Sequence, residues 1–186
     1  SKGKEYTYTT AIGANFSNTD LAGSNFKSGG DGYNDFSKSN FSGANFTDVS
    51  IFGCIFDDAN FSNVTFCNTQ MFGIYRNANF KNAIIDEKSS LGGEDYSGAD
   101  FSGATIKTSI SSGNFNKSKF VGADLSQLRW NVFCGDFSGA NMKNINSNGT
   151  FTGANFTDAK IEGAKFRENG ITKEQLYQTG DYKNGI

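Results

Sequence analysis

The 186-residue sequence has no proline, no histidine, one tryptophan and three cysteines. Without proline there is no polyproline linker or recognition segment. Without histidine there is no Ser/His/Asp triad and no Cys/His dyad. Cys54, Cys67 and Cys134 are odd in number and widely spaced. They fit neither a disulfide framework nor a metal site, so they are expected to fill small buried slots in a reducing, cytoplasmic setting. No window approaches 18 apolar residues, so no membrane span is expected, and the opening residues lack the apolar core of a signal peptide. A secreted or lumenal location would require removal of an upstream targeting segment, which a chain opening on Ser1 rather than Met accommodates. An excess of one charge is missing too: 19 acidic residues against 17 basic ones leave −2. That excludes the basic stripe of direct nucleic-acid binding. No Gly-x-x-x-x-Gly-Lys-Ser/Thr phosphate loop occurs.

What the chain does have is rings and glycine: 19 Phe, 7 Tyr and 23 Gly within an apolar fraction of only 36%. The rings recur. Large apolar residues stand five apart at Phe16, Leu21 and Phe26, and again at Phe36, Phe41, Phe46, Ile51, Phe56, Phe61, Phe66 and Met71. The row slips by one residue to Tyr75, Phe80 and Ile85, returns at Tyr96, Phe101 and Ile106, and slips again to Ile110, Phe115, Phe120 and Leu125. Phe137 and Met142, then Phe151, Phe156, Ile161 and Phe166, complete it. A small residue stands two positions before most of these, Asn or Asp one before, and Ser or Thr often one after. Ala-(Asn/Asp)-(Phe/Leu/Met) occurs eight times. A period of five suits neither a strand nor a helix, so a repeat architecture is expected.

The unit Ala-(Asn/Asp)-(Phe/Leu)-(Ser/Thr)-(Gly/Asn) resembles that of the pentapeptide repeat proteins over roughly residues 11–171. The resemblance implies an all-β solenoid, a right-handed quadrilateral β-helix with four pentapeptides per coil. The central residue and the small residue two before it point inward, and the other three point out. Physical reasoning agrees. A narrow lumen holds a ring beside a small side chain, stacked segments pair at about 4.8 Å, and Gly or Asn suits corners that need positive φ. About 160 repeat residues at 20 per coil give about eight coils. The expected structural core is Phe16, Phe36, Phe41, Phe46, Phe56, Phe61, Phe66, Phe80, Phe101, Phe115, Phe120, Phe137, Phe151, Phe156 and Phe166.

Residues 1–10 are expected to form an N-terminal strand or plug, 11–171 the β-helix, and 172–186 a C-terminal cap or exit segment. Thr172-Lys173-Glu174-Gln175 fits a capping box that opens a short helical cap. Three stretches interrupt the row. GGDGYND at 29–35 reads as a loop excursion from one side, or as a binding loop. DEKSSLGGED at 86–95 reads as a charged corner bulge that still offers Leu91 inward, without the spacing of an EF-hand calcium loop. LRWNVFCGD at 128–136 holds Trp130 inside a widened coil, or leaves the wall and offers Arg129 and Trp130 to a partner.

Paired carboxylates such as Asp57-Asp58 fall in the outward part of the unit, and a filled lumen leaves no pocket. No catalytic, cofactor-binding or metal-binding residue is expected, and no enzymatic activity. The expected function is a structural or protein-interaction module presenting flat polar faces to an unidentified protein partner. The candidate contacts are Arg129 and Trp130, and Ile55 and Ile74, which take outward positions usually filled by Asn or Asp and are expected to stack on one face. Ile84 lies two sides further round. A coil end is the candidate surface for a homodimer. Some members of the family resemble duplex DNA and act on gyrase. Near-neutral charge, with Lys119, Arg129, Lys160 and Lys165 in outward places, speaks against that alternative. A secreted effector or lumenal protein is a third reading, which rests on family habits.

Overall fold

The computed structural model describes every residue except 1–2, 8, 30–31, 109, 111–112, 127–128, 133–134, 167–169 and 186, and for 129–132 and 148–150 the backbone alone. The chain winds into a four-walled β-helix of about seven turns, one fewer than eight. All strand pairings among the described residues are parallel, each segment lying on its counterpart one coil away. At about 4.8 Å per rung the rod is about 34 Å long.

The lumen is filled by columns of side chains. On the first wall Phe16, Phe41, Phe61, Phe80, Phe101, Phe120, Phe137 and Phe156 stack in near-parallel pairs, with centroids 4.7 to 5.6 Å apart. The second wall contributes Leu21, Phe46, Phe66, Ile85, Ile106, Leu125 and Met142, and the third Phe26, Ile51, Met71 and Leu91, all buried. The fourth stacks Phe36, Phe56, Tyr75, Tyr96 and Phe115 at 4.8 to 5.4 Å. Phe151 is buried as well, whereas Phe16 and Phe166, at the two ends, are only half-buried.

Each position of the five has a physical reason. The small residue closes a turn, its N–H donating to the carbonyl of the preceding central residue, as from Ala44 to Phe41 at 3.0 Å and from Ala59 to Phe56 at 3.1 Å. The Asn or Asp accepts from the N–H two residues on, as Asn40 does from Ser42 at 3.1 Å. A following hydroxyl joins that acceptor, as Thr47 does on Asn45 at 2.8 Å. The Asn amide then donates to its neighbour one coil away, Asn60 to Asn40 and Asn79 to Asn60, both at 3.0 Å. Two places after the central residue the backbone turns left-handed. Asn18, Asn63 and Asn77 sit there, and so do Lys38, Asp58 and Lys117, all at φ 55 to 60°.

The ends are closed by hydrogen bonds. Glu5–Tyr6 pairs with Asn25–Phe26, and Tyr6 stacks on Phe26 at 4.5 Å. At the other end α1 (Lys173–Gln178) starts with the Thr172/Gln175 capping box, and α2 (Gly180–Lys183) follows. Buried Gln175 donates to the carbonyls of Phe151 and Ala154 at 2.7 and 2.9 Å. Gly180 donates to Ala159 at 2.9 Å. These bonds cover the carbonyls of Phe151, Ala154 and Ala159 at the last coil.

Two expectations need correction. Residues 86–95 are no solvated bulge throughout: after a turn at Asp86 they form a six-residue strand, Ser90–Asp95, that runs from the third wall around the corner into the fourth. The bulge is a single residue, Glu94, between the Gly73–Gly93 and Ile74–Asp95 pairs. Of the cysteines, Cys54 fills a buried slot, but Cys67 follows Phe66 on the outside of its strand and is only partly buried. Cys134 lies outside the described residues.

The two column tyrosines give a test of packing against polarity. The Tyr96 hydroxyl lies 2.9 Å from the Gly92 carbonyl and 3.0 Å from that of Met71. The Tyr75 hydroxyl is buried with no partner among the described residues. Removing an unpaired buried hydroxyl relieves its desolvation, whereas removing a paired one forfeits a bond. Tyr75→Phe is expected to stabilise by about 1–2 kcal/mol and Tyr96→Phe to destabilise by about 1 kcal/mol. Urea denaturation of the two variants checks the opposite signs.

Candidate interaction surface

Outward residues form ladders along each wall, because register places equivalent positions one above another. The first wall presents Asn15, Asn40, Asn60, Asn79, Asp100, Lys119, Asp136 and Asn155. The second presents Asp20, Asn45, Thr65, Ile84, Thr105, Asp124, Asn141 and Lys160. The fourth presents Asp35, Ile55, Ile74, Asp95 and Asn114. In none of them do carboxylates take more than two of these positions.

The corner between the third and fourth walls departs from this polar regularity. Ile55 and Ile74 are paired in register, with Asp35 one rung to one side and Asp95 one rung to the other. Around the corner Phe52 and Phe72 also pair in register and stack on the outside with centroids 5.2 Å apart. Phe52 is 36% exposed. Sequence reasoning missed this second pair. The available signal was Phe after the central residue, where Ser or Thr is usual, twice at a spacing of one coil. Ile84 is 41% exposed but stands between Thr65 and Thr105 in its ladder.

Glycine and a bulge build the corner. Gly53 and Cys54 together face Gly73 where the register shifts, and Glu94 is the unpaired residue one coil further on. A bulge re-aims the side chain it carries, and Glu94 meets the Tyr33 hydroxyl at 2.8 and 3.0 Å. Tyr33 sits on the glycine-rich excursion, which adds five residues between the Lys27–Phe52 and Asn34–Cys54 pairs. It is 46% exposed, and its bond to Glu94 raises its hydroxyl pKa above the ordinary value. Together Lys27, Ser28, Gly32, Tyr33, Phe52, Gly53 and Glu94 line a cleft of about 300 Å³. Beneath it burial pushes the Cys54 thiol up to about 12, against opposing hydrogen bonds with Asn34 and Phe52.

The corner offers a partner two stacked rings and a carboxylate. Among the described residues no group of three potential metal ligands converges. The perturbed carboxylate of Asp86 illustrates structural use. Burial would raise its pKa, but bonds from Ser89, Cys67 and the N–H of Asn68 outweigh that and hold it below the ordinary value. Asp57, half of the pair Asp57-Asp58, is bonded to Arg76 at 2.7 Å.

The remaining candidates divide. The Arg129–Val132 strand stays in the wall, Arg129 facing Asn146 and Trp130 facing Ser147. The Arg129 and Trp130 side chains lie outside the described residues. At the C-terminal coil end Tyr177 and Tyr182 are exposed with ring centroids 4.6 Å apart.

A family model described as pentapeptide repeats matches in eight copies, over residues 35–69 and 136–168. No curated protein sequence matches the chain. Among solved structures, trypsin-treated QnrB1, a plasmid-mediated fluoroquinolone resistance protein, is 19% identical, covers 98% of both chains and gives a TM-score of 0.60. HetL, a pentapeptide repeat protein involved in heterocyst differentiation regulation in the cyanobacterium Nostoc sp. strain PCC 7120, is 16% identical over 89% of this chain and 88% of its own, with a TM-score of 0.29. A pentapeptide repeat protein of the Arabidopsis thaliana thylakoid lumen is 20% identical over 89% and 74%, with a TM-score of 0.15. At 19% identity the likeness to QnrB1 is one of fold.

Proposed function

The chain is a pentapeptide repeat protein, and from that premise we propose that it is a non-enzymatic interaction module whose partner protein docks on the corner formed by Ile55, Ile74, Phe52 and Phe72. One observation carries the reading: two apolar pairs, each in register across adjacent coils, adjoin on a rod whose other walls present mainly Asn, Asp, Ser, Thr and Lys. Phe52 is exposed and Ile55, Phe72 and Ile74 are half-buried. Apolar side chains gathered at a surface in this way are characteristic of contact sites, whereas a lone exposed residue such as Ile84 is commonplace. A rigid coil also fixes the four side chains before binding, which reduces the entropy lost on association.

Duplex mimicry finds less support. About 34 Å of duplex carries about 20 phosphate charges, while no ladder places carboxylates at more than two of its positions and Lys119 and Lys160 interrupt two of them.

Affinity capture from a lysate of the source cells, with wild type, the double variant Phe52→Ser/Ile74→Asp and the control Ile84→Asp, tests the reading. A partner recovered equally by wild type and control, and at least about tenfold less by the double variant, is the expected result. Equal recovery by all three removes the corner from consideration.

A further inference from the structure

The corner's apolar core is ringed by charge, and the balance has a sign. Asp35, Asp57, Asp58, Glu94 and Asp95 face Lys27, Lys38 and Arg76, five carboxylates against three cations, in a chain whose net charge is only −2. Arg76 is taken by Asp57 at 2.7 Å, and it also lies within the field of Asp95. Two of the carboxylates are placed by the fold itself. Asp35 and Asp95 bracket Ile55–Ile74 in a single ladder, three rungs apart, about 14 Å at the rung spacing. Each is anchored through Oδ1, which accepts from the N–H of Ser37 or Ser97, both at 2.9 Å. Glu94, raised out of the wall by the bulge and held by Tyr33, adds a third carboxylate at the mouth of the aromatic cleft.

Resting on the docking reading above, we propose that the occupant is a basic amphipathic helical segment of the partner. Its apolar side chains cover Ile55, Ile74, Phe52 and Phe72, and a Lys or Arg at each end faces Asp35 at one side and Asp95 with Glu94 at the other. At 1.5 Å and 100° per helical residue, basic residues about eleven positions apart, about 16 Å, stand on one face of the helix and bracket that separation of about 14 Å. Aromatic walls beside a carboxylate, as Tyr33 and Phe52 stand beside Glu94, suit a cationic head. The rim carboxylates repel nucleic acid and anionic lipid, and opposite charge across an interface sets orientation and association rate.

The probe is a fluorescein-labelled 18-residue Leu/Lys amphipathic peptide with lysines eleven positions apart on one helix face, beside the same peptide with Glu for every Lys. Fluorescence anisotropy with the full chain is expected to give binding at least about tenfold tighter for the Lys peptide, with affinity falling as salt rises. The variant Asp35→Asn/Glu94→Gln/Asp95→Asn should weaken the Lys peptide about tenfold and flatten its salt dependence. It keeps the fold, because Asn already fills the equivalent ladder position at Asn40, Asn60 and Asn114. Amide shifts should gather at residues 33–35, 52–55, 72–76 and 94–95. Equal binding of both peptides, no loss in the triple variant, shifts on another wall, or a concentration-dependent dimer that buries this corner would overturn the proposal. If a captured partner depends on Phe52 and Ile74 yet ignores the triple variant, the corner stands as the docking site and the basic chemistry falls.

Discussion

Phe61→Ala is expected to destabilise the chain by about 3–5 kcal/mol, a large fraction of the stability of an ordinary domain. The ring is fully buried. It stacks between Phe41 at 4.9 Å and Phe80 at 5.1 Å and meets Phe46 and Phe56 edge-on at 5.7 and 5.3 Å. Each such ring pair adds about 0.5–1.5 kcal/mol beyond burial. The neighbours cannot close the void along the axis, because their coils are held apart at the strand spacing by backbone bonds, Phe61 N–H to Asn79 and Phe41 N–H to Asn60, both at 2.7 Å. Phe16→Ala, at a half-buried end, should cost less than half as much. Urea unfolding of both variants measures the difference, and equal costs would argue against a packed ring column.

Gly93→Ala is expected to cost about 3–5 kcal/mol as well, and to damage the candidate site. Gly93 has φ +133°, a conformation that side chains rarely adopt, and an added Cβ would lie 2.8 Å from the Gly73 carbonyl oxygen and 2.9 Å from its nitrogen. Those neighbours are backbone, so the wall has to shift. Overpacking costs about 1–3 kcal/mol and a sparsely populated conformation about 1–3 kcal/mol more. The shift would fall beside Glu94 and unseat its contact with Tyr33. Gly153→Asn separates clash from conformation. Its φ of +72° matches the corner that Asn18 and Asn77 already occupy, and nothing lies within 4 Å of the added carbon. It should be close to neutral. Thermal denaturation of the two variants decides, and equal losses would mean that positive φ alone, rather than backbone contact, controls these glycines.

The coil was legible because its code is local. Which residues face inward follows from the five-residue unit. The Asn-Phe-Ser/Thr run follows from an Asn that accepts from the N–H two residues on, as at Asn40 and Asn60. Register between coils is a different matter. Coil length varies from 25 residues between Asp20 and Asn45 to 17 between Asp124 and Asn141. Those lengths are set by pairing between segments far apart in sequence. The excursion before Asn34 was hard to place for a simple reason: five extra residues preserve a period of five. The strand inside DEKSSLGGED was obscured by its charges, although Leu91 kept the inward column intact.

The candidate site was half legible. Ile55 and Ile74 stood out as aliphatic residues where Asn or Asp is usual, and a one-residue deletion between them implied a shared face. Phe52 and Phe72 did not stand out, because in a chain so rich in Phe each reads as another core ring. Their neighbours Ile51 and Met71 already fill those inward slots, and that is what forces the two rings outside. The Tyr33–Glu94 contact spans 61 residues of sequence, and nothing local announces it.

Amide hydrogen exchange on the unliganded protein tests the four-walled, ring-filled coil most directly. The N–H groups of Phe41, Phe61, Phe80 and Phe101 each donate to the next coil at 2.7 Å above a dry column of rings. They are expected to exchange together and last, with protection declining toward Phe16 and Phe166. Fast, uniform exchange along that column, or slow exchange confined to the C-terminal helices, would contradict the coil and every inference drawn from its walls.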